Sequence, residues 1–125
     1  MLDLDGFKPI NDRYGHAMGD QILVRLADKL ASAARATDVV ARLGGDEFAM
    51  LCPKLQGEDI EQFCSRLLSA VASVPSDDTP GCRLGGSIGI ACYPRDGHNL
   101  EQLLSLADRA MYAAKNAGGH RWQIA

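Results

Sequence analysis

The chain has 125 residues, of which 46% are hydrophobic and 23% charged, and a formal net charge of −3. This length suits one domain with a single core, and so weak a negative charge argues against a surface for nucleic acid or for anionic membranes. No apolar run approaches the roughly 20 residues that span a bilayer, and the cysteines show neither zinc-site spacing nor disulfide-scaffold density. We therefore expect one reduced, cytoplasmic domain.

The first half of the chain predicts a strand, a helix and a hairpin. Residues 1–5 alternate apolar and acidic side chains, as a half-buried strand does, and residues 6–19 are typical of a loop or a short helical turn. Apolar side chains at helical spacing predict a helix over residues 20–36. In residues 38–51, apolar runs flank Gly44-Gly45, which predicts a hairpin with a tight two-residue turn.

The second half predicts a helix over residues 58–74, a connecting loop over 75–81 and a strand over 83–93. Asn99 and Gln102 have the spacing of a capping box at the start of another helix, and Gly118 is placed to end that helix. Residues 120–124 form a short edge strand in this scheme. The resulting order predicts an α+β fold, with an antiparallel-rich central sheet flanked by helices.

Acidic side chains stand close together in the predicted sheet. Asp3 and Asp5 are two residues apart on a strand, so their side chains point to the same face. Like charges so close are costly unless a cation lies between them, although a strand end in water would also accommodate them. If the strand lies beside the hairpin, Asp3 and Asp46 would bind one or two Mg²⁺ ions, since Mg²⁺ favours a few carboxylates plus phosphate oxygens.

These residues belong to an ordered set of motifs that resembles the GGDEF domain of diguanylate cyclases. The matching segments are residues 2–8 (LDLDGFK), Asn11-Asp12, Tyr14-Gly15-His16, Gly19-Asp20, and residues 42–48 (RLGGDEF), 87–91 (SIGIA) and 107–115 (ADRAMYAAK). The resemblance implies a fold similar to the palm domain of nucleotidyl cyclases and polymerases. It also implies the condensation of two GTP molecules into cyclic di-GMP, with release of two pyrophosphates and with Mg²⁺ or Mn²⁺ as the cofactor.

The resemblance further implies a metal and catalytic set. Asp3, Asp46 and the Leu4 carbonyl would be the metal ligands. Asp46 would also help to deprotonate the attacking 3′-hydroxyl, and Glu47 would support the turn and its metal. Lys8 completes the implied catalytic set, because lysines help to neutralise the charge of a triphosphate.

Substrate contacts are implied on both sides of that set. Asn11 and Asp20 would bind the guanine edge. The backbone N–H groups of Phe7 and Lys8 would hold the terminal phosphates, which Lys115 would approach from the last helix. Gly44 and Gly45 would let the nucleotide pass close to the hairpin backbone. Because each protomer is expected to hold one GTP, the reaction implies a homodimer with two-fold symmetry.

Arg35 and Asp38 form an Arg-x-x-Asp pattern that ends five residues before the glycine pair. Alone, this pattern is explained by an arginine at a helix C-terminus and an aspartate in a turn. At this offset the resemblance implies an inhibitory site for the product. There the arginine would bind phosphate or the guanine edge, and the aspartate would accept from the guanine N–H groups.

Two features depart from the family pattern. Family domains usually carry a further helix before the first strand, so we expect residues 1–125 to be a GGDEF domain without that N-terminal helix and lead-in. Gly119 stands where an arginine often contacts phosphate, which predicts GTP binding weaker by roughly 1–3 kcal/mol. The alternative is therefore a weak or inactive GGDEF module that binds GTP or cyclic di-GMP and regulates an attached domain. In either case we expect flanking sensory or output domains and a location in the bacterial cytoplasm, whether or not the longer protein is membrane-anchored.

Overall fold

The computed structural model describes residues 1–125. Its strands are β1 (Leu2–Asp5), β2 (Val39–Gly44), β3 (Glu47–Leu51), β4 (Gly85–Ile90) and β5 (Arg121–Ile124). Its helices are α1 (Phe7–Tyr14), α2 (His16–Ala33), α3 (Glu58–Ala72) and α4 (Leu100–Asn116). None of these helices combines the length and the apolar character that crossing a bilayer requires.

The strands form one five-stranded sheet in the order β2-β3-β1-β4-β5. Neighbouring strands are antiparallel except β4 and β5, which are parallel. β1 therefore lies at the centre of the sheet, between the hairpin on one side and β4 on the other. This arrangement confirms the predicted α+β fold with an antiparallel-rich sheet and flanking helices.

Helices cover both faces of the sheet. On one face, α2 and α3 pack against buried strand residues that include Leu2, Leu4, Phe48 and Ile88, and together they form the main hydrophobic core. On the other face, α4 lies on β4 and β5 and turns small side chains inward, among them Ala107, Ala110 and Ala114. Such small side chains allow a helix to lie close to the sheet, which places the end of α4 beside β1.

The predicted capping residues of α4 are observed. The Asn99 side chain accepts a hydrogen bond from Gln102 N, while Gln102 Oε1 accepts from His98 N at 2.9 Å. At the other end, Gly118 N donates to Lys115 O and Gly119 N donates to Ala114 O, which is the Schellman pattern of a helix C-terminus. The residues that follow α4 therefore have a fixed path back to the sheet.

Several predicted boundaries were wrong, among them the C-terminal end of α2, which is Ala33 instead of residue 36. Residues 6–19 are mostly helical: Gly6 takes a left-handed conformation, α1 follows it with Phe7 and Ile10 buried, and α2 begins at His16 instead of residue 20. β4 is shorter than the predicted strand over 83–93, because only residues 85–90 find partners on β1 and β5. The hairpin turn consists of Gly45 and Asp46, since Gly44 is still paired with Glu47.

Candidate active site

β1 lies directly beside the hairpin, as the predicted metal site requires. The two strands are antiparallel, with Asp3 opposite Glu47. Just beyond that pair, Leu4 N donates to Asp46 O at 3.3 Å. The backbone thus brings two pairs of residues, Asp3-Leu4 and Asp46-Glu47, to one end of the sheet. The two pairs are more than forty residues apart in the chain.

The hairpin tip holds its acid in an open turn. Gly45 has φ +50 and a Cβ at that position would meet no atom within 4 Å, so the turn is open around it. Arg42 Nε donates to Gly45 O at 2.9 Å and fixes the turn from β2. Sequence reasoning gave Arg42 no role, although an arginine two residues before the glycine pair is well placed to bind a carbonyl of the turn.

The two predicted metal-binding carboxylates influence each other. Asp3 is buried, with only 9% of its surface exposed. Burial raises the pKa of Asp46 above its ordinary value, and the nearby Asp3 charge and a hydrogen bond with Asp3 raise it further. A pair of this kind favours a shared proton or a cation, because two ionised carboxylates at close range repel each other.

Lys115 supplies positive charge at this position. Its ammonium forms an ion pair with Asp3 and lies 3.9 Å from Asp5 Oδ1, so both carboxylates of β1 face α4, as their spacing predicts. The hydrogen bond to Asp3 raises the pKa of Lys115, and the charges of Asp3, Asp5 and Asp46 add to the effect. The lysine predicted to approach the phosphates thus lies among the predicted metal-binding acids.

The candidate site offers few oxygen ligands for a divalent cation. No group of three or more His, Cys, Asp or Glu side chains converges on one point. Asp3 and Asp46 instead provide two carboxylates, and the main chain of Leu4 is hydrogen-bonded to that of Asp46. This set fits Mg²⁺ or Mn²⁺ in a site of few protein ligands, where phosphate and water oxygens complete the coordination.

Asp5 is a residue whose contacts sequence reasoning missed. Its carboxylate accepts from Ser87 Oγ at 2.9 and 3.1 Å and from His120 N at 2.9 Å. It therefore links β1 to β4 and to the turn after α4. The signal in the sequence was weak, because nothing local indicates that residues more than eighty positions away are its partners.

The predicted phosphate-binding segment lies at the start of α1. Phe7 and Lys8 are its first residues, and the first N–H groups of a helix have no partner within the helix. Phe7 is buried, whereas Lys8 is exposed and its ammonium binds Asp12 at 2.9 Å. The Lys8 side chain is therefore paired within α1 and not with the acids of the candidate site.

The predicted guanine-binding residues lie on neighbouring helices. Asn11 of α1 packs against Gly19 of α2 so closely that a Cβ there would lie 1.8 Å from Asn11 Oδ1. Asn11 Oδ1 is buried without a hydrogen-bond partner. Asp20 is the next residue after Gly19 and is exposed. The Asn11 amide thus packs against the residue that directly precedes the exposed Asp20.

Arg35 and Asp38 contact each other in a closed turn. Asp38 Oδ2 accepts from Arg35 N at 2.8 Å, its side chain has no accessible surface, and its Oδ1 has no partner. The Arg35 side chain is 45% accessible and donates to Pro53 O at 3.2 Å. Arg35 is therefore available at the surface, whereas Asp38 is occupied within the turn.

These features can be compared with known proteins. The family model for "Diguanylate cyclase, GGDEF domain" matches residues 1–121, which is nearly the whole chain. The chain belongs to the GGDEF family. The match includes the acidic hairpin, the central strand and the helix that carries Lys115, so the site described above lies entirely within the GGDEF domain.

Individual relatives and solved structures that resemble the chain are also GGDEF proteins. The chain is 41% identical over 117 residues to the bifunctional diguanylate cyclase/cyclic di-GMP phosphodiesterase MucR of Pseudomonas aeruginosa, covering 94% of this chain but 17% of that protein. The crystal structure of the GGDEF domain of TpbB (YfiN) from P. aeruginosa superposes with a TM-score of 0.90 at 39% identity, covering 99% of this chain and 78% of that one. The GGDEF domain of DgcB from Caulobacter crescentus, solved in complex with cyclic di-GMP, gives 0.85 at 30% identity, covering 98% and 74%. The chain thus corresponds to one domain within a much longer relative.

Proposed function

We propose that this GGDEF domain is a diguanylate cyclase that condenses two GTP molecules into cyclic di-GMP with release of two pyrophosphates. The observation that carries the proposal is the meeting of Asp3 with Asp46 at an open glycine turn. A carboxylate in an open turn beside a second, buried carboxylate suits phosphoryl chemistry, in which charge on the transferred group must be neutralised.

In this proposal Asp46 is the proton acceptor. Its carboxylate takes the proton of the attacking 3′-hydroxyl, and Glu47 supports the turn from the first position of β3. A divalent cation, Mg²⁺ or Mn²⁺, would be held by Asp3, Asp46 and the Leu4 carbonyl, where it neutralises phosphate charge and polarises the reacting oxygens. The open space around Gly44 and Gly45 admits the nucleotide to the hairpin backbone.

The GTP molecule would lie between the hairpin and α1. The unpaired N–H groups at the start of α1, from Phe7 and Lys8, bind the terminal phosphates because a helix N-terminus favours anions. Lys115 contributes positive charge from α4. Asn11 and Asp20 bind the guanine edge, Asp20 through its accessible carboxylate and Asn11 through its amide.

Each chain would provide half of the reaction site. One GTP per protomer supplies one 3′-hydroxyl and one reactive phosphate, so closing the ring requires two protomers with their hairpins facing each other. The exposed glycine tip permits such an approach. Product inhibition would act through Arg35, whose guanidinium is accessible, together with Asp38 once its carboxylate leaves the turn.

A second candidate function is a non-catalytic GGDEF module that binds GTP or cyclic di-GMP and regulates an attached domain. Gly119 favours this candidate, because the chain has no cation where the family often has an arginine. The complete set of Asp3, Asp46 and Glu47 favours the enzyme. Since the chain spans 17% of the length of a relative such as MucR, flanking sensory or output domains are part of either proposal.

An Asp46→Asn variant tests the assignment of the proton acceptor. We expect the purified chain to form cyclic di-GMP from GTP and Mg²⁺, and the variant to lose at least about a hundredfold in rate, within the range for removing an acid–base group. Product is measured by chromatography, and circular dichroism verifies that the variant is folded. Asp28→Asn, which removes an exposed carboxylate of α2 away from the candidate site, is the control and keeps the wild-type rate. Undiminished product from folded Asp46→Asn would exclude this role for Asp46.

A further inference from the structure

Asp5 occupies the junction of four elements. Its carboxylate, at the end of β1, accepts from Ser87 Oγ on β4 and from His120 N in the segment that leads into β5. The same carboxylate lies 3.9 Å from the ammonium of Lys115 on α4. A carboxylate that accepts several hydrogen bonds and faces a cation is held firmly, because each of these contacts involves an ionised group.

Gly119 packs closely against the Asp5 carboxylate. Its φ is +70, and a Cβ at residue 119 would lie 2.7 Å from Asp5 Oδ2. Any side chain there would require the carboxylate or the turn to move. The turn after α4 therefore packs directly against the Asp5 side chain.

The turn that packs on Asp5 is hydrogen-bonded to the end of α4, which carries Lys115. Gly118 N donates to Lys115 O at 3.2 Å, and Gly119 N donates to Ala114 O at 3.1 Å. The last turn of α4 is thus tied to the residues that rest on Asp5. A shift of the turn would move the lysine backbone, and with it the ammonium that pairs with Asp3.

We propose that Asp5 is a positioning residue for substrate binding, which holds the α4–β5 turn (residues 117–120) in place and so fixes the Lys115 ammonium beside Asp3. For its catalytic consequence this inference rests on the proposed function, in which Lys115 binds phosphate. Asp5 itself touches neither GTP nor the reacting atoms in this account. Its effect appears in the affinity for GTP and not in the chemical step.

Two readouts on an Asp5→Ala variant test the proposal. The first is the acylation rate of the Lys115 amine by an N-hydroxysuccinimide ester, followed by mass spectrometry, with the exposed Lys8 amine as internal reference. We expect Lys115 labelling to rise at least about threefold relative to Lys8, because the ammonium loses one partner and its fixed position. The second is steady-state turnover, where KM for GTP rises about tenfold while kcat changes by less than about threefold.

Asp96→Ala is the matched control. Asp96 also accepts from a backbone N–H in a connecting segment, Cys92 N at 2.7 Å, and also pairs with a cation, Arg95, but it lies outside the candidate site. Its loss lowers the melting temperature and leaves Lys115 labelling and KM unchanged. An Asp5→Asn variant, which keeps the shape and one acceptor, falls between wild type and Asp5→Ala in both readouts.

The outcomes separate this inference from the proposed function. Unchanged Lys115 labelling in Asp5→Ala overturns the positioning role, whatever the enzyme does. Raised labelling with unchanged KM also overturns it, because Asp5 then serves the fold alone. If the wild-type chain neither binds nor converts GTP, the proposed function fails, and the labelling still decides whether Asp5 fixes Lys115.

Discussion

The carboxylates of Asp3 and Asp5 share the ammonium of Lys115. The repulsion expected of two acids on one strand face is thereby reduced within the chain itself. The lysine side chain is 42% accessible, so solvent weakens the pair, and its contribution to stability is modest. A divalent cation would enter a site that already contains one positive charge.

A Lys115→Met variant distinguishes the effect of the lysine ammonium from that of a divalent cation. Without the ammonium, the carboxylates repel each other, and we expect unfolding to occur about 3–5 °C lower at pH 7 without added metal, as a loss of about 1 kcal/mol implies. Added Mg²⁺, without nucleotide, should raise the melting temperature of Lys115→Met more than that of wild type. Calorimetry measures both shifts. Equal Mg²⁺ responses in the two proteins would contradict the shared position of lysine and metal.

Arg35 offers a second test at single-residue scale. Its accessible guanidinium is the part of the Arg-x-x-Asp pattern that can reach a ligand without rearrangement. Arg35→Ala should raise the concentration of cyclic di-GMP needed for half-inhibition at least tenfold, because a charge-assisted contact to phosphate or guanine is lost. Initial rates with added product measure this. Arg66→Ala, on the exposed side of α3, is the control, and equal inhibition of Arg35→Ala and wild type would remove the product site from the account.

The sequence predicted the positions of some site residues but not the contacts of others. Asp3 and Asp46 were expected to meet if β1 lay beside the hairpin, and they do, because β1 pairs with β3. Lys115 was expected near the phosphates, but its ion pair with Asp3 and the contacts of Asp5 were not foreseen, since they depend on α4 returning across the sheet. The closed conformation of Asp38 was also not foreseen, because its hydrogen bond to Arg35 N competes locally with any external ligand.

At the scale of elements, helix α1 shows where pattern reasoning fails. It contains eight residues and a proline, and only Phe7 and Ile10 are buried, so its apolar period is too short to recognise. The presence of the three longer helices was predicted correctly, because their buried residues recur over several turns. The start of α2 was missed for a related reason: Gly19 weakens a helical pattern, yet here it admits Asn11.

The packing of α4 on β4 depends on another glycine. A Cβ at Gly89 would lie 1.8 Å from Ala107 O and 2.3 Å from Met111 N, both backbone atoms that cannot move aside. Gly89→Ala should therefore destabilise the domain by about 3 kcal/mol or more, at the upper end for overpacking.

Urea unfolding of Gly89→Ala against wild type measures this cost. Ile90→Val, one residue further on the same strand, is the control and should cost roughly 0.5–1.5 kcal/mol as a simple loss of a methylene group. A Gly89→Ala domain as stable as Ile90→Val would show that helix and sheet are less closely fitted than described.

At the scale of the whole molecule, the order of strands explains why the site is assembled from distant segments. β1 is central, so the acids at its end meet the hairpin on one side and the α4–β5 turn on the other. The sequence predicted the fold class and the family correctly, because motifs extend along nearly the whole chain. It could not show whether two copies assemble, since that depends on how their surfaces fit together.

The most direct test of the central claim measures both products of one reaction. The chain is incubated with GTP and Mg²⁺ over a range of protein concentrations, and cyclic di-GMP and pyrophosphate are quantified in the same samples. A diguanylate cyclase that works as a dimer gives two pyrophosphates per cyclic di-GMP, and its rate per chain rises with concentration until the dimer is saturated. GTP binding without either product, at concentrations where dimers are present, would contradict the account and identify the domain as a binding module.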